Sequence, residues 1–419
     1  MNISKIILKN VRCCDKLIID FDKRGASILF CGDNGDGKST ILRCIAMGLC
    51  DETSASGLLR ELPGDFVKKG KENDGAKISI TLLESNKTTY KIDTYIKSLE
   101  AFESLTQKVF INGKKTTQDK FPWHKIFVTA YGPGNRISGT ADYQHYVAVD
   151  AVYSLFKNDV ALQNPELVFR RAIDEAYKRY KKKPEKAKKL ANSTLEHLQR
   201  LLKTLLNLDM KDKIFLTKTG IEIKSKRWGR CELGSLGDGY KSVTTWVLDL
   251  ISWWMLNLNK KSFHSNRNIK GIVLIDEVEQ HLHPKWQIQI MQLLNESFND
   301  IQFIATTHSP LVMSGCKDIP VNIISRGKII EKKVYGWLAE DVYHEVMGLE
   351  TSRPESIKHL IKKYENLYFA SLNKKLSQSK KVAMNKIKKE LLAVQGAEPI
   401  TVNAELITLL KDLKKYRKK

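Results

Sequence analysis

The stretch Gly32-Asp33-Asn34-Gly35-Asp36-Gly37-Lys38-Ser39-Thr40 decides how the rest of the chain is interpreted. It satisfies the pattern GxxxxGK[ST], follows an apolar run at residues 27–31 and precedes a helical pattern at residues 40–49. Its glycines let backbone N–H groups surround a phosphate, the lysine reaches the β- and γ-phosphates, and the Ser39 hydroxyl can ligate Mg²⁺. A glycine-rich turn that merely precedes a helix would need neither the lysine nor the hydroxyl. This stretch, the P loop, therefore predicts an α/β nucleotide-binding fold.

A second motif, Ile272-Val273-Leu274-Ile275-Asp276-Glu277, has four apolar residues followed by two acids. A buried parallel strand would present Asp276 at its carboxyl end, where such sheets bind ligands, so this carboxylate can hold the water shell of Mg²⁺. Glu277 is then placed to orient and polarise an attacking water. For one of the two acids, capping of the next helix is an alternative role.

A third motif, residues 303–308, ends another apolar run with a histidine, His308. The end of a neighbouring strand would place this imidazole beside the same pocket, where it can donate to a γ-phosphate. The other histidines receive a structural interpretation. His281 and His283 lack the further spaced ligands that a metal site requires.

A fourth motif, Leu236-Gly237-Asp238-Gly239-Tyr240, is a glycine-rich turn before a predicted helix at residues 240–258. Backbone N–H groups at such a helix start can bind an anion. Taken alone, the turn could simply be an entry into the helix. Its position between the P loop and the acidic motif makes it more specific.

The remaining pattern predicts an α/β chain with an antiparallel beginning and a helical insertion. Asn112-Gly113 supplies the two residues with φ > 0 that a type I′ hairpin turn needs, and leucines between residues 195 and 206 follow helical spacing. Buried apolar strands alternating with helices after residue 234 predict a parallel sheet. The predicted strands are residues 3–8, 17–21, 27–31, 77–83, 89–95, 272–275 and 302–306, and residues 109–116 form a predicted hairpin. Helices are predicted at 240–258 and from Pro284.

Composition limits the environment and the partners. The 419 residues include 70 Lys and Arg against 47 Asp and Glu, a net charge of +23 that favours polyanionic partners. Lysines concentrate at residues 178–189 and 371–419. Either segment could be a solvated helix face or a phosphate-contacting surface. The segment 371–419 also contains leucines, so it could instead be a protein-docking surface. Seven cysteines without a CxxC pair, no signal-peptide pattern and no membrane span predict a cytoplasmic protein.

As an ordered set, these motifs resemble the Walker A, signature, Walker B and switch elements of the ABC-type ATPases of the RecF, SMC and OLD group. They are most similar to bacterial AAA-domain ATPases of anti-phage defence modules such as Septu, whose signature reads LSDGY and whose Walker B continues as DExExHLHPxWQ, here residues 276–287. Residues 130–136 resemble the tyrosine-glycine-proline motif of that subfamily. Gly237 replaces the signature serine, and no glutamine clearly occupies the Q-loop position near Tyr131, which predicts slower turnover without loss of nucleotide binding.

The resemblance implies an ABC-ATPase head that binds ATP and Mg²⁺ and forms a head-to-tail homodimer or a higher even oligomer. It assigns catalysis to Lys38, Glu277 and His308 and the metal to Ser39 and Asp276. The nucleotide would also contact Arg12, residues 33–40 and residues 237–240.

The implied regions are a first ATPase lobe at 1–148, a helical insertion at 149–230, a second lobe at 231–345 and a basic helical tail at 346–419. The tail is too short for a TOPRIM nuclease, so the resemblance implies a separate nuclease effector. A DNA repair or maintenance ATPase acting directly on DNA and a non-hydrolysing, ATP-gated scaffold are the alternatives.

Overall fold

The computed structural model describes residues 1–21, 26–99, 102–134, 139, 142–209, 211–216, 221–226, 229–232, 235, 237–257, 269–325, 327–349, 354–373 and 377–395. The strands are β1 (Asn2–Val11), β2 (Cys14–Asp20), β3 (Ile28–Gly32), β4 (Ala76–Leu83), β5 (Thr89–Ser98), β6 (Glu103–Ile111), β7 (Lys114–Thr116), β8 (Val128–Tyr131), β9 (Lys213–Leu216), β10 (Ile221–Ser225), β11 (Gly229–Glu232), β12 (Gly271–Ile275), β13 (Ile301–Thr306), β14 (Val321–Ser325) and β15 (Lys328–Lys332). The helices are α1 (Lys38–Leu49), α2 (Glu52–Arg60), α3 (Ala148–Val152), α4 (Pro165–Arg179), α5 (Pro184–Leu205), α6 (Asp238–Asn257), α7 (Pro284–Gln287), α8 (Ile290–Ser297), α9 (Pro310–Ser314), α10 (Ala339–Glu345), α11 (Glu355–Asn373) and α12 (Gln378–Gln395).

The first sheet is antiparallel, as the sequence predicts, with the strand order β2-β1-β4-β5-β6-β7. Alternating residues of these strands face the core that the sheet shares with α1. At the β6–β7 turn, Asn112 and Gly113 both have positive φ, 47° and 77°. The type I′ turn that the Asn-Gly pair predicts is therefore confirmed.

The second sheet carries the P loop and has the order β15-β14-β3-β13-β12-β8. All pairs from β14 to β8 are parallel, and β15 closes one edge in the antiparallel sense. The predicted parallel sheet is thus confirmed, and strands β12 and β13 are buried at every position. Parallel strands present their carboxyl ends at one edge, so the ends of β3, β13, β12 and β8 lie side by side.

The inserted region contains the predicted helices and an additional small sheet. Helices α4 and α5 pack together as a hairpin, and Leu198, Leu201, Leu202 and Leu205 are buried along α5. Strands β9, β10 and β11 then form a three-stranded antiparallel sheet that the helical pattern did not predict. At four or five residues each, these strands are too short for an alternating pattern to distinguish them from loops in a local window.

The helix predicted from Pro284 is shorter than its apolar pattern suggests. Helix α7 ends after four residues, and α8 begins separately at Ile290. No helix among the described residues is long and apolar enough to cross a membrane.

Residues within 1–342 contact mainly one another, as do residues within 343–419, so the chain divides into two compact units. The second unit contains helices α11 and α12. Lys374, Lys375 and the leucines between residues 406 and 413 lie outside the described residues, so the choice between phosphate contact and protein docking for the tail stays a prediction.

A buried carboxylate joins α6 to the edge of the second sheet. Asp249, in the middle of the apolar helix α6, is 2 % exposed and accepts hydrogen bonds from the Tyr131 hydroxyl and the Gln163 backbone N–H, both at 3.0 Å. Burial raises the pKa of Asp249 to about 6, while these hydrogen bonds oppose the rise. The polar residue inside the apolar stretch is therefore a structural link between strand β8 and the segment that leads into α4.

The raised pKa of Asp249 gives stability a pH dependence. Between the ordinary carboxyl pKa near 4 and the folded value of about 6, the folded chain holds a proton that the unfolded chain has lost, so the free energy of unfolding falls as pH rises through this window. An Asp249→Asn variant lacks this titration. We expect its free energy of unfolding, relative to wild type, to rise by up to about 3 kcal/mol from pH 4 to pH 7, measured by urea unfolding. The exposed Asp119→Asn variant is the control; a pH-independent difference for Asp249→Asn would contradict the assignment.

Candidate functional site

The P loop begins where buried strand β3 ends and closes on itself before α1. The Asp33 N–H donates to the Asp36 carboxylate at 2.9 Å, and Gly35 and Gly37 have φ of 92° and 94°. Gly37 caps α1, where a Cβ would also lie 3.0 Å from the Cys13 sulfur, so both conformation and space require glycine. Neither a capping side chain nor an acid occupies the first turn of α1, which leaves the helix start suited to an anion.

Lys38 places a buried cation inside this loop. Its side chain is 6 % exposed, and its ammonium donates to the carbonyls of Gly32 at 2.9 Å and Asp33 at 2.8 Å. Burial lowers the pKa of Lys38, and the charges of Asp36 and Asp276 oppose that shift. Within the described residues no carboxylate lies within 4.0 Å of this ammonium. Carbonyl oxygens, and not a carboxylate in direct contact, therefore hold this ammonium.

The two acids of the second motif follow β12 at the same sheet edge. Asp276 is 1 % exposed, its backbone N–H donates to the Tyr131 carbonyl at 2.8 Å, and its carboxylate accepts from the Thr306 hydroxyl at 2.5 Å. Because the Asp276 charge also acts on the pKa of Lys38, the carboxylate and the P-loop cation share one electrostatic environment.

Glu277 is held in an unusual backbone conformation beside Asp276. Its φ is 51°, in the left-handed region that residues other than glycine rarely adopt, and its N–H donates to the Thr306 hydroxyl at 2.8 Å. The next residue, Val278, donates its N–H to the Thr306 carbonyl at 3.0 Å. Hydrogen bonds to one threonine thus maintain a backbone turn that would otherwise be costly, a pattern associated with functional sites.

His308 is positioned by a further acid of the same loop. Glu279 accepts from the Thr307 hydroxyl at 2.7 Å and from the His308 backbone N–H at 2.6 Å. The imidazole of His308 is half-buried and makes no hydrogen bond within the described part of the chain. The structure therefore brings Glu277 and His308 to neighbouring strand ends, as the motifs predict.

Two positioning residues were not assigned roles from the sequence. Thr306 bridges the turn at Asp276 and Glu277, and Glu279 fixes the loop that carries His308. The available signals were the threonine pair before His308 and the second acid, two residues after Glu277. Neither signal identifies its partner, because the contacts join strands about 30 residues apart.

The glycine-rich turn before α6 packs on the loop that follows the acids. A Cβ at Gly239 would lie 2.5 Å from the His281 carbonyl oxygen, and the rings of Tyr240 and Trp286 meet edge-to-face with centroids 4.4 Å apart. Gly237 and Asp238 are exposed, while Leu236 lies outside the described residues. The helix begins at Asp238, two residues before the predicted start. The turn is thus fixed on its inner side and presented to solvent on its outer side.

Arg12 occupies the β1–β2 turn next to the P loop. The sulfur of its neighbour Cys13 lies against Gly37, while the Arg12 guanidinium donates to the Pro63 carbonyl at 2.9 Å and sits 5.8 Å from the Phe66 ring centroid. A nucleotide contact by Arg12 stays a prediction.

In the tyrosine-glycine-proline motif, Tyr131 ends β8, and Asn135 and Arg136 lie outside the described residues.

The residues present fit a magnesium ion that is shared with a substrate. Among the described residues no group of three or more His, Cys, Asp or Glu forms a complete protein cage for a metal. Ser39 follows Lys38 directly, and buried Asp276 interacts with Lys38, which offers one hydroxyl and one carboxylate. Mg²⁺ commonly takes such a partial set and completes its octahedron with phosphates and water. His283 instead caps α7, with its ring nitrogen accepting from the Lys285 N–H at 3.3 Å.

Two family models match this chain. Residues 5–227 match the family model described as "AAA domain", and residues 147–314 match the one described as "AAA domain, putative AbiEii toxin, Type IV TA system". The SMC head domain from Thermotoga maritima aligns with a TM-score of 0.47 at 17% identity, covering 80% of this chain and 99% of that one.

Curated relatives come from bacteria. The Septu protein PtuA of Bacillus mycoides is 24% identical over 84% of this chain, which spans only 44% of that relative. The "Retron Vc95 probable ATPase" of Vibrio cholerae is 26% identical over 88% of this chain and 84% of its own length. The "Retron Ec83 probable ATPase" of Escherichia coli is 24% identical, with coverages of 88% and 80%.

The family model matched by residues 5–227 covers more than half of the chain. The edge of the parallel sheet brings together the P loop, the two acids and His308. The chain therefore belongs to the AAA-domain family and is an ATPase.

Proposed function

We propose that the chain binds ATP with Mg²⁺, associates head-to-tail with a second copy, and uses this cycle to control a separate effector, a nuclease, in an anti-phage defence system. The observation that carries nucleotide binding is the buried Lys38 ammonium in a glycine-rich loop, held by carbonyl oxygens and lacking a carboxylate within 4.0 Å among the described residues. A bound triphosphate would give this ammonium the direct anionic partner that the surrounding carbonyl groups do not provide.

The proposed reaction is transfer of the terminal phosphoryl group to water. Ser39 and Asp276 would hold Mg²⁺, which would supply positive charge to offset the charge of the phosphates. Lys38 contacts the phosphates, Glu277 orients and polarises the attacking water, and His308 donates to the terminal phosphate. The two hydrogen bonds of Thr306 to Asp276 and Glu277 keep metal ligand and base in one geometry.

Dimerisation is supported by the exposed side of the turn at residues 237–240. Gly239 and Tyr240 anchor the turn to the loop after the acids, whereas Gly237 and Asp238 face solvent. A turn anchored in this way can close over the phosphates of a second copy while remaining rigidly connected to its own catalytic loop. ATP binding and the geometry of Glu277 would then be coupled across the interface.

The proposed control of an effector in a defence system is supported by the names of the relatives. The relatives carry the names of Septu and retron proteins.

Removing the P-loop cation tests nucleotide binding. Lys38→Ala deletes a charged donor that would contact the β- and γ-phosphates, each such hydrogen bond being worth roughly 1.5–3 kcal/mol. We expect ATP affinity to fall about 100-fold, measured by calorimetric titration. Lys114→Ala, an exposed lysine on β7, is the matched control and should bind as wild type. An unchanged affinity in Lys38→Ala would refute the P-loop assignment.

Subunit mixing tests the composite site. A chain with Lys38→Ala and a chain with Gly237→Arg should each be inactive alone, whereas their mixed dimer has one site with both faces intact. At equal concentrations we expect ATP turnover of up to about a quarter of wild type, because half the dimers are mixed and each has one working site. Gly237 is used because a Cβ there meets no atom within 4 Å, while a side chain at Gly239 would collide with the same chain's His281 carbonyl.

The Gly237→Ala variant controls for folding in this experiment and should keep its activity. A mixture that stays inactive, or a wild-type chain whose activity per molecule does not fall on dilution to the monomer, would contradict the head-to-tail arrangement.

A further inference from the structure

The end of the α4–α5 hairpin carries a dense positive charge that the proposed ATPase cycle does not use. We call residues 178–189 the hairpin tip. It contains eight Lys and Arg residues and one acid, Glu185, a net charge of +7 in twelve residues. We propose that the hairpin tip is a binding surface for the phosphodiester backbone of duplex nucleic acid.

The hairpin is a rigid support for this charge. Small buried residues, Ala176 on α4 and Ala187 and Ala191 on α5, let the two helices pack closely up to the tip. Asn164 caps α4 by accepting the Glu166 N–H, and prolines open both helices. Lys186, Lys188 and Lys189 therefore lie on an ordered helix, and Lys181, Lys182 and Lys183 lie on the short turn that joins the two packed helices.

The tip extends beyond the residues that fasten the hairpin to the ATPase core. Arg171, midway along α4, binds the Gln163 side chain at 2.9 Å, the Tyr143 carbonyl at 2.7 Å and the Ser252 hydroxyl on α6. At 1.5 Å per residue the end of α4 lies about 12 Å past Arg171. The other helix, α5, packs against α8. The charged end is thus accessible while its base is anchored.

Most of the tip charge is not neutralised by the protein. Lys178 lies 3.7 Å from Glu175, a pair that is largely solvent-exposed and therefore weak. Within the residues that the structure describes, no carboxylate lies within 4.0 Å of the other lysines of the tip; these are Lys181, Lys182, Lys183, Lys186, Lys188 and Lys189, all exposed. Such unpaired ammonium groups can replace condensed counterions along a phosphate backbone.

The width of the tip selects how nucleic acid would be bound. Two packed helices, each about 10 Å across, are together wider than the roughly 12 Å major groove of DNA, which accepts a single helix. The tip therefore lies across the backbone instead of entering the groove, and its contacts are to phosphates. Binding that depends on phosphates alone is strongly salt-dependent and independent of sequence.

The test compares two full-length variants of equal charge. One changes Lys181, Lys182, Lys183, Lys186, Lys188 and Lys189 to Gln; the control changes six exposed lysines elsewhere, Lys69, Lys114, Lys115, Lys120, Lys317 and Lys328, to Gln. Binding to a fluorescein-labelled 30-base-pair DNA duplex and the matching RNA duplex is measured from 50 to 300 mM KCl. The double variant Lys182→Glu with Lys183→Glu alters no residue of α4 or α5. It tests the tip charge independently if the six-residue tip variant fails to fold.

We expect the tip variant to bind both duplexes at least about tenfold more weakly at 100 mM KCl, with the slope of log affinity against log salt shallower by about 2 to 5. The control should retain affinity and slope, and the double variant should shift both in the direction of the tip variant. ATP turnover of the tip variant without nucleic acid should equal wild type. Equal losses in tip and control variants would overturn the proposal. Undiminished duplex binding by the tip variant would also overturn it, even if that variant lost an acidic protein partner.

Discussion

The hydroxyl group of Thr306 is the contact on which the catalytic edge depends. It donates to the Asp276 carboxylate and accepts the Glu277 N–H, so the end of β13 holds the end of β12 in one register. Without that contact, the left-handed backbone at Glu277 would lose a hydrogen bond that maintains it. Glu279 makes the reciprocal connection from the β12 loop to Thr307 and His308. Four side-chain hydrogen bonds therefore connect the acid pair and the switch histidine into one unit.

The strand order sets the size of the site. Because β13 lies between β3 and β12, the P loop and the acids are separated by two strand spacings, about 10 Å. The proposed function places a terminal phosphate and its metal between them, with Lys38 on one side and Asp276 and Glu277 on the other. The same edge continues to β8, where Tyr131 connects through Asp249 to α6 and to the segment leading into α4. The nucleotide site and the base of the basic hairpin thus share a network of buried polar groups.

Local patterns predicted most of the fold, and they predicted that the P loop, the two acids and His308 follow neighbouring strands of one sheet. The Asn112-Gly113 turn, the antiparallel beginning, the leucine stripe of α5 and the parallel strands follow from propensity and periodicity within short windows. The sequence could not pair Thr306 with Asp276 or Gly239 with His281, because those contacts depend on strand register and loop approach across the sheet. The sequence pattern likewise did not predict β9 to β11. These short strands become apparent only when they are seen to pair with one another in a sheet.

Single-turnover hydrolysis by a Glu277→Gln variant tests the central claim most directly, since Glu277 is the residue that the Thr306 contact positions. The change keeps the shape of the side chain and the Asp276 metal ligand while removing the carboxylate that polarises water. We expect this variant to bind ATP with the affinity of wild type but to cleave the bound ATP roughly 100-fold or more slowly, within the range for loss of a general base. Cleavage at the wild-type rate with ATP fully bound would contradict the role of Glu277 as the residue that polarises water.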